Sequence, residues 1–394
     1  MGLEHYELVE TPEQLQHGLD LLAPQDHIGV DVERADWDRY FREAALIQVG
    51  GEGVVLLVDP LALPDWTPLD DFLAERTTVL HAMENDLGPM ASVGVSPPRV
   101  QDTAIAAGIL GLPTGLEWLL ADLLDVELEG DKSAMQRANW EERPLTEEML
   151  RYAAGDVADL PALWHELADR LDDAGRMDWY RQELAAALAL PAVAERRDWT
   201  RTKGAGRLDP GARMRLRVLW EAREGLARDT NTAPGRIMAD KMMIELATQP
   251  PKTARELARR GMRRAAVRDF GEAIMEAVQL ASEAAVEAPE RRHRQVTELD
   301  RSLVDKLRSS RANTAREIGI DPGILCPSRT LLTAVVADPE DPGALRDLLG
   351  LRPWQWEILG HDFCAILGIE GPGVPDPRPA PERHDDQETD HTDD

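Results

Sequence analysis

A chain of 394 residues with 43% hydrophobic side chains is too long for one ordinary core and is expected to form two or three domains. Its net charge of −29 runs against the basic footprint usual in a nucleic-acid-binding protein. Two cysteines (Cys326 and Cys364) are too few for a disulfide or zinc framework, and no apolar run approaches the ~20 residues of a membrane span. The opening Met1-Gly2-Leu3-Glu4-His5-Tyr6 lacks the features of a signal peptide, and Tyr6 stands where myristoylation of Gly2 needs Ser or Thr, so a cytoplasmic location without membrane contact is expected.

Short β-rich runs alternate with helical patterns in the first half, the signature of an α/β domain. A helix is predicted over Pro12–Leu21, then strands over Ile28–Glu33, Ala45–Gly50 and Val54–Val58 before any long helix. That order argues for an antiparallel meander opening a mixed sheet, not a dinucleotide-binding βαβ start, and no G-x-G-x-x-G follows the first strand. Helices Leu69–Glu75, Leu87–Val93, Thr103–Leu110 and Gly115–Leu124 alternate with strands Val79–His81 and Arg99–Asp102. One long helix is predicted over Thr146–Asp173, with Thr146 as N-cap and Glu147 and Glu148 in the first turn, where the helix dipole favours negative charge.

The domain boundaries follow from composition. Residues 1–194 form the α/β domain, and 195–208, polar and Arg-rich, read as a linker. Two helical modules follow, at 209–285 and 297–368, because Arg223, Ala227, Arg228, Pro234 and Gly235 recur 88 residues later as Arg311, Ala315, Arg316, Pro322 and Gly323. Residues 369–394, Pro-rich and then acidic, are expected to be disordered. Charge follows these divisions: 38 acidic and 12 basic side chains from Met1 to Leu190, but 12 acidic and 19 basic from Arg196 to Ala285. An acidic region followed by a basic one fits a cation-dependent enzyme with a grip on a polyanion; a general preference for acidic surfaces would explain the total equally well.

Asp31 and Glu33 lie two apart in a strand and so share one face, with Ile28, Val30 and Val32 on the other. Two carboxylates side by side repel unless a cation lies between them, although solvated strand faces also carry this pattern. Tyr152 and Asp156, four apart, share one helix face, and by themselves read as a surface neighbour pair. Asp86 follows a short strand and is either a ligand or an N-cap; Glu84 is a competing carboxylate, and His81 reads as a packed histidine.

Together, D-x-E on a strand, a downstream Asp and Y-x-x-x-D on a helix resemble the three motifs of the DEDD exonuclease superfamily, in its tyrosine-containing branch. Ala45-Leu46-Ile47-Gln48-Val49, Gln101-Asp102-Thr103, Asp131-Lys132-Ser133, Trp140, Arg143-Pro144-Leu145 and Tyr152-Ala153-Ala154 narrow the resemblance to the ribonuclease D family. Arg223 to Arg228 and Pro234 to Ile244 look like a helicase-and-RNase-D C-terminal (HRDC) domain, with a diverged second copy after it. The resemblance spans about residues 5–368. Two departures stand out: Arg34 where the family usually has a Phe wedge near the terminal base, and Ala222 where a Trp often precedes the Arg-Glu of the first HRDC module.

The resemblance implies a ribonuclease H-like α/β exonuclease domain, a mixed sheet flanked by helices, followed by two small all-α HRDC-like domains. It implies that Asp31, Glu33, Asp86 and Asp156 hold two Mg²⁺ or Mn²⁺ ions, with Tyr152 orienting the attacking water. Gln48, Lys132 and Arg143 would contact substrate, although Lys132 and Arg143 could equally be ordinary surface charges. The substrate would be RNA with a free 3′ end, tRNA precursors above all, trimmed by a monomeric enzyme to 5′-mononucleotides. A 3′–5′ deoxyribonuclease and a non-catalytic RNA-binding scaffold are the alternatives, and no G-x-x-x-x-G-K-[ST] loop supports a helicase. Arginines of the first HRDC module would grip the RNA backbone, or pair with the acidic first domain.

Overall fold

The computed structural model describes residues 5–34, 39–41, 43–128, 132–135, 138–190, 198–286 and 296–378. Six strands, β1 (Tyr6–Val9), β2 (His27–Arg34), β3 (Ala44–Gly51), β4 (Val54–Val58), β5 (Thr77–Leu80) and β6 (Val100–Asp102), form one sheet in the order β1-β4-β3-β2-β5-β6. β2, β3 and β4 are the expected antiparallel meander, whereas β1 on β4, β5 on β2 and β6 on β5 are parallel. β3 is buried along its whole length, which is why it reads as a continuous apolar run rather than an alternating one. β1 has no such signal, because only Val9 of its four residues is buried, and pairing with β4 defines it.

The helices of this part of the chain are α1 (Pro12–Leu22), α2 (Thr67–Ala74), α3 (Leu87–Ser92), α4 (Thr103–Leu110), α5 (Leu116–Leu124), α6 (Lys132–Met135), α7 (Glu147–Ala158), α8 (Leu160–Asp173) and α9 (Met177–Leu188). α1 starts with a capping box: the Thr11 hydroxyl accepts from Gln14 N, and Gln14 Oε1 accepts from Thr11 N. Thr146 caps α7 as expected, its hydroxyl accepting from Met149 N at 3.2 Å. The single helix expected over Thr146–Asp173 is instead two, broken at Asp159. Pro161 has no N–H, and its ring would collide with the Val157 carbonyl in a continuous helix; that carbonyl accepts from Asp159 N instead.

The helical modules comprise α10 (Pro210–Asp229), α11 (Pro234–Ile237), α12 (Asp240–Thr248), α13 (Ala254–Arg259) and α14 (Arg264–Val286), then α15 (Glu298–Ile318), α16 (Pro322–Leu325), α17 (Ser328–Ala337), α18 (Pro342–Leu349) and α19 (Pro353–Leu367). The repeat has a physical basis: the buried guanidinium of Arg223 donates to Met238 O at 3.0 Å, and that of Arg311 donates to Cys326 O, the residue 88 positions on. Residues 198–208 are not a bare linker, since Trp199, Ala205 and Leu208 pack into the core of the first module; 195–197 lie outside the described residues. Nor are 369–378 detached. Ile369 is buried, the Trp356 indole donates to Gly373 O at 3.1 Å, and Arg378 donates to Thr314 and Glu317. The acidic end from 379 lies outside the described residues.

The chain divides into two compact units that cut across the sequence boundaries. One takes the chain up to Ile105, Thr114–Asp169, and Leu184 onward through the first module; the other takes Ala106–Pro113, Arg170–Glu183 and the second module. In the second unit Trp179 stacks on Trp354 at 4.7 Å, and the Trp354 indole donates to Glu183 at 2.9 Å.

Candidate active site

In β2, Ile28, Val30 and Val32 are buried at 0–5% exposure, which turns Asp31 and Glu33 to the opposite face. α7 crosses that face very closely. A Cβ on Gly29 would lie 2.5 Å from Val157 O, and one on Gly50, its partner in the ladder, 2.8 Å from Val157 Cγ2. Only glycine admits this approach, and it brings Asp156 to the carboxylates of β2. Asp31, Glu33 and Asp156 each offer an oxygen, all within 4.8 Å of one another. One turn earlier on α7, the Tyr152 hydroxyl hydrogen-bonds Asp156, and the Trp140 ring lies 6.3 Å from the Tyr152 ring.

Asp86 reaches the cluster by a different route. After β5 the chain turns through Ala82 in a left-handed conformation (φ 61°) and a short 3₁₀ turn over Met83–Asn85. Asp102, 1% exposed, holds this turn by accepting from Met83 N at 2.8 Å, and it also accepts from Ile105 N at 2.9 Å. Asp86 stands at the start of α3 but makes no side-chain capping bond, so its buried carboxylate is not spent on the helix. It lies outside the group of three yet interacts electrostatically with Asp31 and Asp156. Glu84, the competing carboxylate, is exposed, and His81 Nδ1 lies 2.8 Å from the Thr103 hydroxyl as a packed histidine does.

Burial, then mutual repulsion, raises these acids. Glu33 is pushed up to about 9 by burial and by Asp31, Asp156 and Asp86; Asp31 rises to about 6 through burial; Asp86 rises well above the usual range. The Arg34 guanidinium opposes the rise at all three. Burial and the neighbouring carboxylates also raise the Tyr152 phenol. Crowded oxygen donors without nitrogen or sulfur partners are the donor set of a hard divalent cation, which would relieve the repulsion.

Of the residues expected to meet substrate, Gln48 is directly opposite Asp31 in the β2–β3 ladder and fully buried. Lys132 opens α6, and its side chain lies outside the described residues. Arg143 differs from expectation. Its Nε and Nη2 grip the buried Asp59 at 2.6 and 2.7 Å, Nη2 also donates to Ala45 O, and Nη1 to Trp140 O and Glu142 O. Every N–H is thereby used on the protein, and none remains for a phosphate. Sequence reasoning noticed Asp102 only as part of a motif and gave Gly29 and Gly50 no role; both depend on contacts far apart in the chain.

A mixed sheet with these acids on one face, followed by paired helical modules, defines a 3′–5′ exonuclease with HRDC domains. The 3′-5′ exonuclease family model matches residues 6–172, and the HRDC domain model matches 212–278 and 300–367. Exonucleases of this superfamily use divalent metals. The chain belongs to the ribonuclease D family of exoribonucleases: it is 32% identical to ribonuclease D of Pseudomonas paraeruginosa over 87% of this chain and 92% of that one. It is 29% identical to ribonuclease D of Desulfotalea psychrophila over 82% of this chain and 89% of that one. The fold resembles the crystal structure of Escherichia coli RNase D, with a TM-score of 0.76 at 22% identity, over 92% of this chain and 99% of that one.

Proposed function

We propose that this protein shortens RNA from its 3′ end, releasing 5′-mononucleotides, with two Mg²⁺ or Mn²⁺ ions held by Asp31, Glu33, Asp86 and Asp156. The observation that carries the reading is the convergence of Asp31, Glu33 and Asp156 within 4.8 Å, with Asp86 beside them. Divalent cations bound there supply charge neutralisation at the scissile phosphate and a more acidic attacking water. The protein's own part is to bring carboxylates from β2, α7 and the start of α3 together at one place.

Burial and then the neighbouring carboxylates raise the Tyr152 phenol, which already has an ordinary pKa far above neutral. Its hydroxyl therefore orients a water through a hydrogen bond rather than acting as a base. Of the arginines in the first HRDC module, Arg223 pairs with Glu224 and Asp240, Arg215 donates to Ala247 O and Arg217 pairs with Glu221. RNA contact by the module falls to its other basic side chains. Cys326 and Cys364 are buried free thiols, which fits a cytoplasmic enzyme. Among the described residues no helix is long and apolar enough to cross a membrane.

Precursors of stable RNA, tRNA above all, are the proposed substrates of a monomeric enzyme; the support is family membership. The test combines the purified protein with Mg²⁺ or Mn²⁺, a tRNA carrying a short 3′ extension and a matched single-stranded DNA. An Asp31→Ala/Glu33→Ala double variant runs beside it. Stepwise shortening of the RNA alone, abolished in the variant, is the expected result. Equal or faster loss of the DNA would make the protein a deoxyribonuclease, and RNA binding without hydrolysis would leave only a scaffold.

A further inference from the structure

The loop between β2 and β3 is anchored by the first HRDC module. Asn231, just past the end of α10, accepts on one side-chain oxygen from both Tyr40 N (3.2 Å) and Phe41 N (3.0 Å). Asn231 is left-handed at φ 44°, a conformation Asn tolerates better than most residues. The Tyr40 ring is 4% exposed and belongs to the module's core with Leu219 and Ala227, and Arg228 lies over it at 5.8 Å. On its other side the loop is tied to the catalytic domain, where Arg39 pairs with Glu141 at 2.6 Å beside Trp140. β2, the strand that carries Asp31 and Glu33, ends at Arg34, and Tyr40 and Phe41 follow it in the sequence.

What the anchored loop presents is Phe41. Its side chain is 46% exposed, with the Tyr40 ring edge-on at 5.2 Å. An exposed phenyl ring whose backbone is fixed at its own N–H and at the preceding residue is pre-organised, so a flat ligand would lose little entropy in ordering it. Arg39 is paired with both Glu43 and Glu141, so the loop offers the aromatic ring rather than a free charge. A fixed, exposed aromatic face is the chemistry that takes unpaired nucleobases, by stacking on the ring.

We propose that Phe41 is a stacking platform for a nucleobase of the RNA strand, held in position by Asn231 of the first HRDC module. The proposal rests on the exoribonuclease reading for its substrate, and it gives the module a role at the catalytic domain besides any RNA contact of its own.

The probe is a single-stranded RNA carrying 2-aminopurine near its 3′ end. Its fluorescence is titrated with protein in the absence of divalent cations, and its hydrolysis is then followed with Mg²⁺. Phe41→Ala should remove the stacking quench and raise KM about 5- to 100-fold with kcat little changed, whereas Phe41→Trp should retain both. Asn231→Gly keeps the left-handed backbone free of strain but deletes the acceptor, and should weaken quench and KM about 3- to 10-fold in the same direction. Asn231→Asp restores the acceptor and should restore both. Wild-type quench and KM in Phe41→Ala, or in Asn231→Gly, would overturn the proposal. Failure of the wild-type protein to hydrolyse any RNA would instead overturn the exoribonuclease reading, which the cation-free quench does not depend on.

Discussion

Gln48 stands directly across from Asp31 in the β2–β3 ladder, completely buried, and among the described residues neither its carboxamide oxygen nor its nitrogen has a hydrogen-bond partner. Leaving such a group unsatisfied costs roughly 1–3 kcal/mol, so a residue chosen for stability alone would be apolar. Gln48→Leu should therefore raise stability by about 1 kcal/mol while lowering kcat about tenfold or more. Thermal unfolding and steady-state kinetics on the same variant check both halves. A stabilised variant with full activity would remove Gln48 from the site.

Arg143 should behave in the opposite way. Asp59 is 2% exposed and receives two of its hydrogen bonds, so Arg143→Ala strands a buried carboxylate. A loss of roughly 3 kcal/mol in stability is expected, the low end for such a break. KM for RNA in the folded variant, measured well below its melting temperature, should stay near wild type. A raised KM with unchanged melting would return Arg143 to the phosphate contacts.

Glu33 and Asp31 have folded pKa values above their ordinary ones, so the folded chain binds more protons than the unfolded chain between their ordinary pKa values and about 9. Without divalent cations their contribution to stability is fully present below pH ~4 and is lost as pH rises through that window. Mg²⁺ competes with those protons, so the stabilisation it confers should grow from pH 5 to pH 9. Melting curves in EDTA and in Mg²⁺ across this range test the sign. Glu33→Gln should flatten the EDTA series, and a Mg²⁺ effect independent of pH would contradict the account.

Arg34 lowers the pKa of Asp31, Glu33 and Asp86, acting as a resident positive charge where the family usually has a Phe. A fixed cation beside the ligands opposes the binding of another. Arg34→Phe should thus lower the Mg²⁺ concentration for half-maximal activity about 3- to 10-fold, an effect of about 1 kcal/mol. Cation titration of activity at fixed RNA concentration measures it. An unchanged or raised half-saturation would mean that Arg34 acts on the RNA instead.

The sequence by itself determined the features carried by local pattern. The β2–β3–β4 meander, the Thr146 cap and the 88-residue repeat all appear where hydrophobic spacing and capping chemistry put them. The grouping of Asp31 with Glu33, and the helix position of Asp156, were legible too, because D-x-E on a strand and Y-x-x-x-D on a helix fix which side chains share a face. Only the tertiary structure decided which partner each group meets. β1 exists through pairing with β4. Arg143 is engaged by Asp59, 84 residues earlier. Asp156 reaches Asp31 because Gly29 and Gly50 let α7 press against the sheet. Asn231 meets the loop at Tyr40 across 191 residues. Hydrogen bonds and close packing depend on which atoms finally adjoin, and residues far apart in the chain leave no periodic trace of that in the sequence.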